Sequence, residues 1–537
     1  MRTHRGDDSV AALFEKASTA YAERDFLHVP LEACREYSPV AATLNYARAR
    51  VRTAALAARL RAAGYGPGHR IAVALDNRPE FFLYFLAVNS LGASIVPLNA
   101  AMSVAELAYV LGHSDASLAV THRGHTAHVR AALAEGAPVW ISEEEEARIP
   151  AATAAPVASP DEAALLYTSG STGKPKACVL SNEYFMEVGR LYTGLGGYCR
   201  FETGARLATP LPVTHMNALA VSFMAMVMTG GCLVQLDRFH PSTWWQSLRD
   251  ARATAFHYLG VMPAMLLKAP PAPSDDCRDV LRFGFGAGVD PRHHAAFEQR
   301  FGVPLIEAWA MTETGAGAWI TANQEPRHVG QRCFGRVPPG LAYRIVDDAG
   351  NDTAPGIAGE LLVRREGDSP RRGFFSGYYK DEAATQEAWV GGWFHTGDIV
   401  RQGDDGSLFF VDRTKNIIRR SGENIAAVEV ESALQAHPDV LASAVCPVPD
   451  EVRGEEVFAF VVLRPGRSGS QACAEGLQAH CRQSLAYYKA PGYIGFCTAL
   501  PQTASQKLAR AEIKQLAASA AASGEAFDLR HLKRRTG

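Results

Sequence analysis

The sequence predicts an α/β protein: a large N-terminal region of two parallel α/β sheets plus a β-rich subdomain, then a small α+β C-terminal domain. Three observations carry that expectation. The chain has 537 residues, too many for one hydrophobic core. A strand–helix–strand rhythm runs through 71–98 and begins again at 163, the mark of parallel sheets with crossover helices. After Asp412 the apolar spacing changes and short helices and strands alternate. The expected division is one domain over 1–412 and another over 413–537.

The elements follow in order. Residues 42–62 alternate Arg with Ala and Leu at helical spacing and predict an amphipathic helix. GPGH at 66–69 makes a turn, and IAVAL at 71–75 is a buried strand. Residues 79–91 predict an apolar helix, and ASIVPL at 93–98 the next strand. The Glu run 143–146 and the Ala/Pro-rich stretch to about 160 read as a solvated loop. A second α/β pattern spans 163–345, and short strands with glycine turns fill 343–411. Beyond it we expect a helix at 426–436, strands at 443–447 and 457–463, a helix at 473–486, and a terminal helix past 515 that frays. No internal repeat is found.

Composition excludes several classes. The formal net charge is −2, with no basic face for nucleic acid. The ten cysteines are scattered, without a CxxC pair, as in a reduced, cytoplasmic protein. The N-terminus MRTHRGDDSV lacks an apolar signal core. No apolar run reaches the ~20 residues of a membrane span.

One loop stands out. The apolar run 163–167 leads into Thr168, Ser169, Gly170, Ser171, Thr172, Gly173, Lys174, Pro175 and Lys176. Small hydroxyl residues and glycines let backbone N–H groups converge on phosphate, and lysine adds charge. Pro175 after Lys174 rules out a Walker A loop. Two other signals are set aside. Gly284, Gly286 and Gly288, after a strand expected at 280–283, are misplaced for a dinucleotide fingerprint. His293 and His294 are expected on an exposed helix surface.

From about residue 40 to 515 the chain resembles the adenylate-forming superfamily of acyl-CoA synthetases, peptide-synthetase adenylation domains and luciferases. Six segments carry the resemblance in order: YTSGSTGKPK at 167–176, LPVTHMNAL at 211–219, WAMTE at 309–313, WFHTGD at 393–398, DRTKN at 412–416 running into SGENI at 421–425, and LPQTASQK at 500–507. The resemblance implies an acid–thiol ligase that joins a carboxylate to AMP and passes the acyl group to a thiol. ATP, Mg²⁺ and coenzyme A are the implied cofactor and substrates.

By the same resemblance, Thr168, Ser169, Gly170, Ser171, Thr172, Gly173 and Lys176 surround the β- and γ-phosphates. Gly286, Ala287, Trp309, Ala310 and Met311 border the nucleotide, with Trp309 stacked on adenine. Thr312 bonds the α-phosphate, Glu313 and Thr168 hold Mg²⁺, and Asp398 binds the ribose with help from Arg413. Lys507 reaches the atoms where charge develops. Such chemistry rests on orientation and charge neutralisation, because a carboxylate must attack an anionic phosphate. Lys415 occupies the hinge position, which makes the small C-terminal domain mobile. Arg419, Ser421, Gly422 and Glu423 border the CoA channel. Arg371, Arg372, Arg420 and Lys489 are further candidates to meet the CoA phosphates.

The acyl pocket is expected at His215, Met216, Ala220, Gly288, Ala310 and Gly315. The small residues 315–318 predict room for a bulky acid, and the lack of a charged partner predicts an apolar one. Departures from the common pattern include Ala177, Trp309 and Ala310. They leave open a ligase specialised for thioester formation from a supplied acyl-adenylate. A ligase loading a carrier protein, a luciferase-like monooxygenase and a non-catalytic acyl-adenylate binder are also compatible with these segments. No nucleic acid or membrane partner is expected, and a homodimer is compatible with the sequence.

Overall fold

The computed structural model describes residues 9–35, 37–143, 148–153, 157–168, 175–272, 275–347, 349–413, 417–501, 508 and 510–534. They form two compact units. One comprises Met1–Ala100, Leu111–Tyr167 and Ala177–Asp412; the other comprises Ala101–Val110, Thr168–Lys176 and Arg413–Gly537.

The first unit contains a seven-stranded sheet and a thirteen-stranded sheet. In the smaller one, Arg70–Ala74 lies parallel between Ser94–Pro97 and Leu118–Thr121. The chain therefore steps to one side of Arg70–Ala74 and then to the other, creating a switch point at the strands' carboxyl ends. Helix Pro79–Ser90 starts with proline in its first turn and is apolar nearly all round, so it must be enclosed. It shares one core with helices Val10–Ala20, Tyr46–Ala62, Asn182–Gly194 and Phe223–Thr229 and with strands of both sheets. Phe82 stacks on Phe223 at 4.9 Å in that core.

The larger sheet has a parallel block of Cys232–Gln235, Arg206–Thr209, Ala255–Leu259, Phe283–Ala287 and Leu305–Trp309. It continues through antiparallel strands, from Ile320–Thr321 to Leu341–Val346. Most strands of the β-rich stretch expected at 343–411 lie in the far part of this sheet, while Gly377 and Tyr378 pair with Val179 and Cys178 in the seven-stranded sheet.

Three local expectations change. Residues 42–45 are a strand, Ala42–Asn45, paired antiparallel with Asp25–Val29; the helix starts only at Tyr46, with the Asn45 side chain accepting from the Arg48 N–H. That is an N-cap, which helical spacing alone does not reveal. The strand expected at 280–283 is Phe283–Ala287, so Gly284 and Gly286 lie inside it. The C-terminal tail is tied down: after helix Arg510–Ser523, Phe527–Asp528 pairs with Tyr493–Ile494. Arg530 then bridges to Asp450 at 2.9 Å, and buried Lys533 meets buried Glu456.

The second unit holds a six-stranded sheet with helices Ala427–Gln435 and Gln471–Ser484 over one core. Lys489 is buried there between Glu106 and Glu429, at 2.5 and 2.9 Å. Arg420 is buried against Glu456 at 2.7 Å. These charges serve the unit's interior, so the expectation that Lys489 and Arg420 meet CoA phosphates is withdrawn. Arg372 is also engaged, with Glu187 at 3.1 Å.

Candidate active site

Strand Leu305–Trp309 delivers Trp309 at its end. The Trp309 indole N–H donates to Asp398 Oδ2 at 2.8 Å, and both residues are buried. Asp398 sits in strand Phe394–Gln402, next to Gly397 with φ +66°, where the pairing with Gly359–Arg365 is irregular. Such an irregularity re-aims the neighbouring side chains. Thr396, two residues earlier on the same face, donates its hydroxyl to the Leu361 carbonyl at 2.6 Å. Trp309→Phe keeps the ring and removes the donor to a buried carboxylate. With this pair at the nucleotide, as the resemblance implies, the KM for ATP is expected to rise about tenfold, consistent with about 1–2 kcal/mol for a hydrogen bond to a charged group. Initial rates against ATP concentration check this.

The turn after Trp309 is pinned on both sides. Met311 N–H donates to Thr314 Oγ1 at 2.9 Å, and the Tyr184 hydroxyl donates to the Thr312 carbonyl at 2.9 Å. Glu313 is mostly buried, and its Oε1 accepts from the Tyr378 hydroxyl at 2.9 Å. Its Oε2 has no hydrogen-bond partner among the described residues. Burial, then the neighbouring Glu313 charge, raises the Tyr378 phenol far above its ordinary value, so it stays a donor. A fixed carboxylate with one open oxygen suits a hard cation such as Mg²⁺.

Ala287 ends strand Phe283–Ala287 and Gly288 follows it. Their loop is held by Glu307, whose carboxylate accepts from the N–H groups of Gly288 and Val289 at 3.0 and 3.1 Å and from the Tyr258 hydroxyl at 2.9 Å. Burial pushes the Glu307 carboxyl up, and those three donors oppose it. Sequence reasoning missed Glu307. The signal available was an acid inside the apolar run LIEAW.

His215 and Met216 are partly exposed and lead into a π-helix, Asn217–Ser222; single π turns are frequent at functional sites. Ala220 is fully buried. A Cβ at Gly315 would meet the Tyr184 ring at 2.2 Å, and one at Gly317 would meet the Phe374 ring at 2.0 Å, so each glycine permits the close approach of a ring.

Behind the π-helix stands His257, wholly buried. Its Nδ1 lies 2.6 Å from Asn217 Oδ1 and 2.8 Å from Ser222 Oγ, and its Nε2 lies 2.7 Å from the Tyr192 hydroxyl. Burial pushes His257 down to about 3, so it is neutral at working pH. Its folded pKa lies below the unfolded value of 6.5. Stability from this group is therefore full above pH 6.5 and is lost as pH falls towards 3. The expected loss over that window is a few kcal/mol. His257→Gln should flatten that part of the acid-denaturation profile.

Ser169, Gly170, Ser171, Thr172 and Gly173, expected around the phosphates, Lys415, expected at the hinge, and Lys507 lie outside the described residues, as does the side chain of Arg413. Thr168 and Lys176 flank the loop, with Thr168 Oγ1 3.5 Å from the Lys176 carbonyl. In the second unit, Arg419, Ser421, Gly422 and Glu423 lie on a hairpin between Ile417–Arg420 and Glu423–Ala426. Its two turn residues, Ser421 and Gly422, have φ of +49° and +89°, as tight hairpins require.

One histidine expectation changes, and a second histidine cluster emerges from the fold. His294 is buried, within 3.1 Å of Glu298 Oε1 and the Leu305 carbonyl, not on an exposed surface. At the switch point, His122 and His125 place Nε2 at 3.1 and 2.6 Å from Asp76 Oδ2. His122 Nδ1 accepts from the Gly124 N–H, so in the neutral ring the proton sits on Nε2 and is donated to Asp76. That tautomer has no lone pair for a metal, and the cluster reads as a carboxylate with two imidazole donors.

Taken with the fold, this arrangement defines an enzyme of the adenylate-forming superfamily. The chain belongs to the AMP-binding enzyme family: residues 15–379 match the model of the AMP-binding enzyme and 429–507 that of its C-terminal domain. A sulfoacetate–CoA ligase from Cupriavidus necator is 34% identical, over 84% of this chain and 88% of its own length. A crotonobetaine/carnitine–CoA ligase from Proteus mirabilis is 29% identical, over 84% and 89%. Among solved structures, the amide bond synthetase McbA from Marinactinospora thermotolerans has a TM-score of 0.79 at 25% identity, over 94% of this chain and 99% of its own. A malonyl-CoA ligase bound to methylmalonyl-CoA and AMP has a TM-score of 0.74 at 25% identity, over 90% and 98%.

Proposed function

We propose that this chain is an ATP-dependent acyl-CoA ligase that forms an acyl-adenylate and then a CoA thioester. The observation that supports it most is the anchored Trp309–Glu313 segment. There Asp398, Tyr184 and Tyr378 fix the indole, the Thr312 backbone and the Glu313 carboxylate. Preorganised polar groups of this kind stabilise developing charge without reorganising during the reaction.

In this reading Trp309 and Asp398 hold the nucleoside, Thr312 bonds the α-phosphate, and Thr168 to Lys176 surround the other phosphates. Glu313 holds Mg²⁺, which would neutralise phosphate charge. Lys507 acts at the α-phosphate and acyl oxygens, and the hairpin of Arg419 to Glu423 borders the CoA channel. A domain boundary at 412–413 with Lys415 as hinge belongs to the same reading.

The acid is short. The rings of Tyr184 and Phe374 occupy the space beside Gly315 and Gly317, which speaks against the bulky apolar acid that the sequence suggested. The relatives named for sulfoacetate and for crotonobetaine or carnitine support a small polar one. The test is a panel of short polar, short apolar and aromatic acids with ATP, Mg²⁺ and CoA, in which pyrophosphate and thioester are both measured. Equal yields from a short acid support the proposal. Product only when an amine replaces CoA would redirect it to amide formation.

A further inference from the structure

The network around His257 has a consequence for what the site can recognise. Asn217 Oδ1 can only accept and lies 2.6 Å from His257 Nδ1, so Nδ1 carries the ring proton, with Ser222 Oγ a second neighbour at 2.8 Å, and Nε2 accepts from the Tyr192 hydroxyl at 2.7 Å. Ser222 Oγ–H in turn donates to the Asn217 carbonyl at 3.1 Å. Each hydrogen in this chain of contacts has an acceptor, and the arrangement keeps the Asn217 carboxamide oxygen on the histidine. Its oxygen faces the buried histidine. Its NH₂ group is left on the other side, on a partly exposed residue, with no hydrogen-bond partner among the described residues.

We propose that Asn217 is a specificity residue, whose Nδ2 donates to an acceptor oxygen on the far end of a short polar acid, and that His257 is the positioning residue that holds the amide in that orientation. This rests on the ligase reading and on the π-helix bordering the acyl pocket. The chemical class is a short carboxylic acid ending in a second carboxylate, a sulfonate or a hydroxyl. The wall behind Asn217 is closed. His257 contacts the Phe285 ring at 5.4 Å, and Tyr192 contacts Phe285 at 4.6 Å and Trp319 at 5.9 Å. All four of these residues are buried. An acyl chain cannot extend through them, so its end group meets the amide. A site built to hydrogen-bond a polar group rejects the analogue lacking it far more strongly than an apolar pocket distinguishes methylenes.

The experiment compares kcat/KM for pyrophosphate release with pairs of similar length: malonate or sulfoacetate against butanoate, and 3-hydroxybutanoate against pentanoate. The native protein should prefer the acceptor-bearing acid of at least one pair by more than about tenfold. Asn217→Asp replaces the donor with an anionic acceptor. It should lower kcat/KM for the dianionic acids at least about tenfold more than for their apolar counterparts. His257→Leu should weaken the preference and His257→Gln should restore part of it, a rescue that a merely structural role would not produce. No preference in the native protein, or an equal loss for both members of each pair in Asn217→Asp, overturns the proposal while leaving the ligase reading intact. If no acid releases pyrophosphate, the ligase reading fails and this proposal with it.

Discussion

Glu313→Gln is expected to slow pyrophosphate release at least about a hundredfold and leave the fold intact. The substitution keeps the shape of the side chain and keeps an oxygen to accept from Tyr378, whose hydroxyl lies 2.9 Å from Glu313 Oε1. Phe375 N–H still donates to the Glu313 carbonyl at 2.9 Å, because that contact is backbone. What changes is the charge on the open oxygen, which in the proposed mechanism holds Mg²⁺. Raising Mg²⁺ should recover part of the rate, whereas raising the acid should not. Single-turnover rates at several Mg²⁺ concentrations measure this, with a thermal melt to show that the variant is folded. A variant with native rate would remove Glu313 from the mechanism.

The second large effect is on stability. Arg70 and Glu162 form a two-pronged ion pair, 2.7 and 2.8 Å, with both side chains only 1% exposed. Arg70 Nη1 also donates to the Ser114 carbonyl at 3.0 Å, and the guanidinium lies 3.8 Å from the centre of the Tyr379 ring. Each nitrogen of the guanidinium thereby has an acceptor within the first unit. Glu162→Ala leaves a buried guanidinium without its anion and should cost about 3–5 kcal/mol. Arg70→Met with Glu162→Leu removes both charges and should be much less destabilising than either single change, since desolvation no longer has to be offset. Urea midpoints of the single and double variants measure the difference. Additive losses would show that packing, not charge, dominates there.

Apolar runs were the most legible part of the sequence. The helix expected at 79–91 is Pro79–Ser90, and the strand expected at 93–98 is Ser94–Pro97, because enclosed elements must be apolar throughout. Helix 42–62 lost its first turn to a strand because Asn45 caps it, and a cap is a single residue against a strong periodic pattern. The segment around Trp309–Glu313 was singled out by its residue types in order, and the structure holds it in place by side-chain hydrogen bonds. Its supports were not singled out. Tyr184 and Tyr378 are distant in sequence from the residues they hold, and no spacing rule joins them. Glycine was an ambiguous signal: at 315 and 317 it read as room for a substrate, and the rings packed against those backbones come from positions 184 and 374. Lysine and arginine misled similarly: Lys489 and Arg420 look like surface charge in sequence but sit in buried ion pairs.

The most direct test of the two-step mechanism is acid-dependent exchange of labelled pyrophosphate into ATP with no CoA present. The account predicts exchange with the same short acid that later gives thioester, and none without an acid, because the acyl-adenylate forms reversibly before the thiol is needed. Thioester formation from that acid with no exchange in the absence of CoA would contradict it, since the acyl group would then reach the thiol without a separate adenylation step.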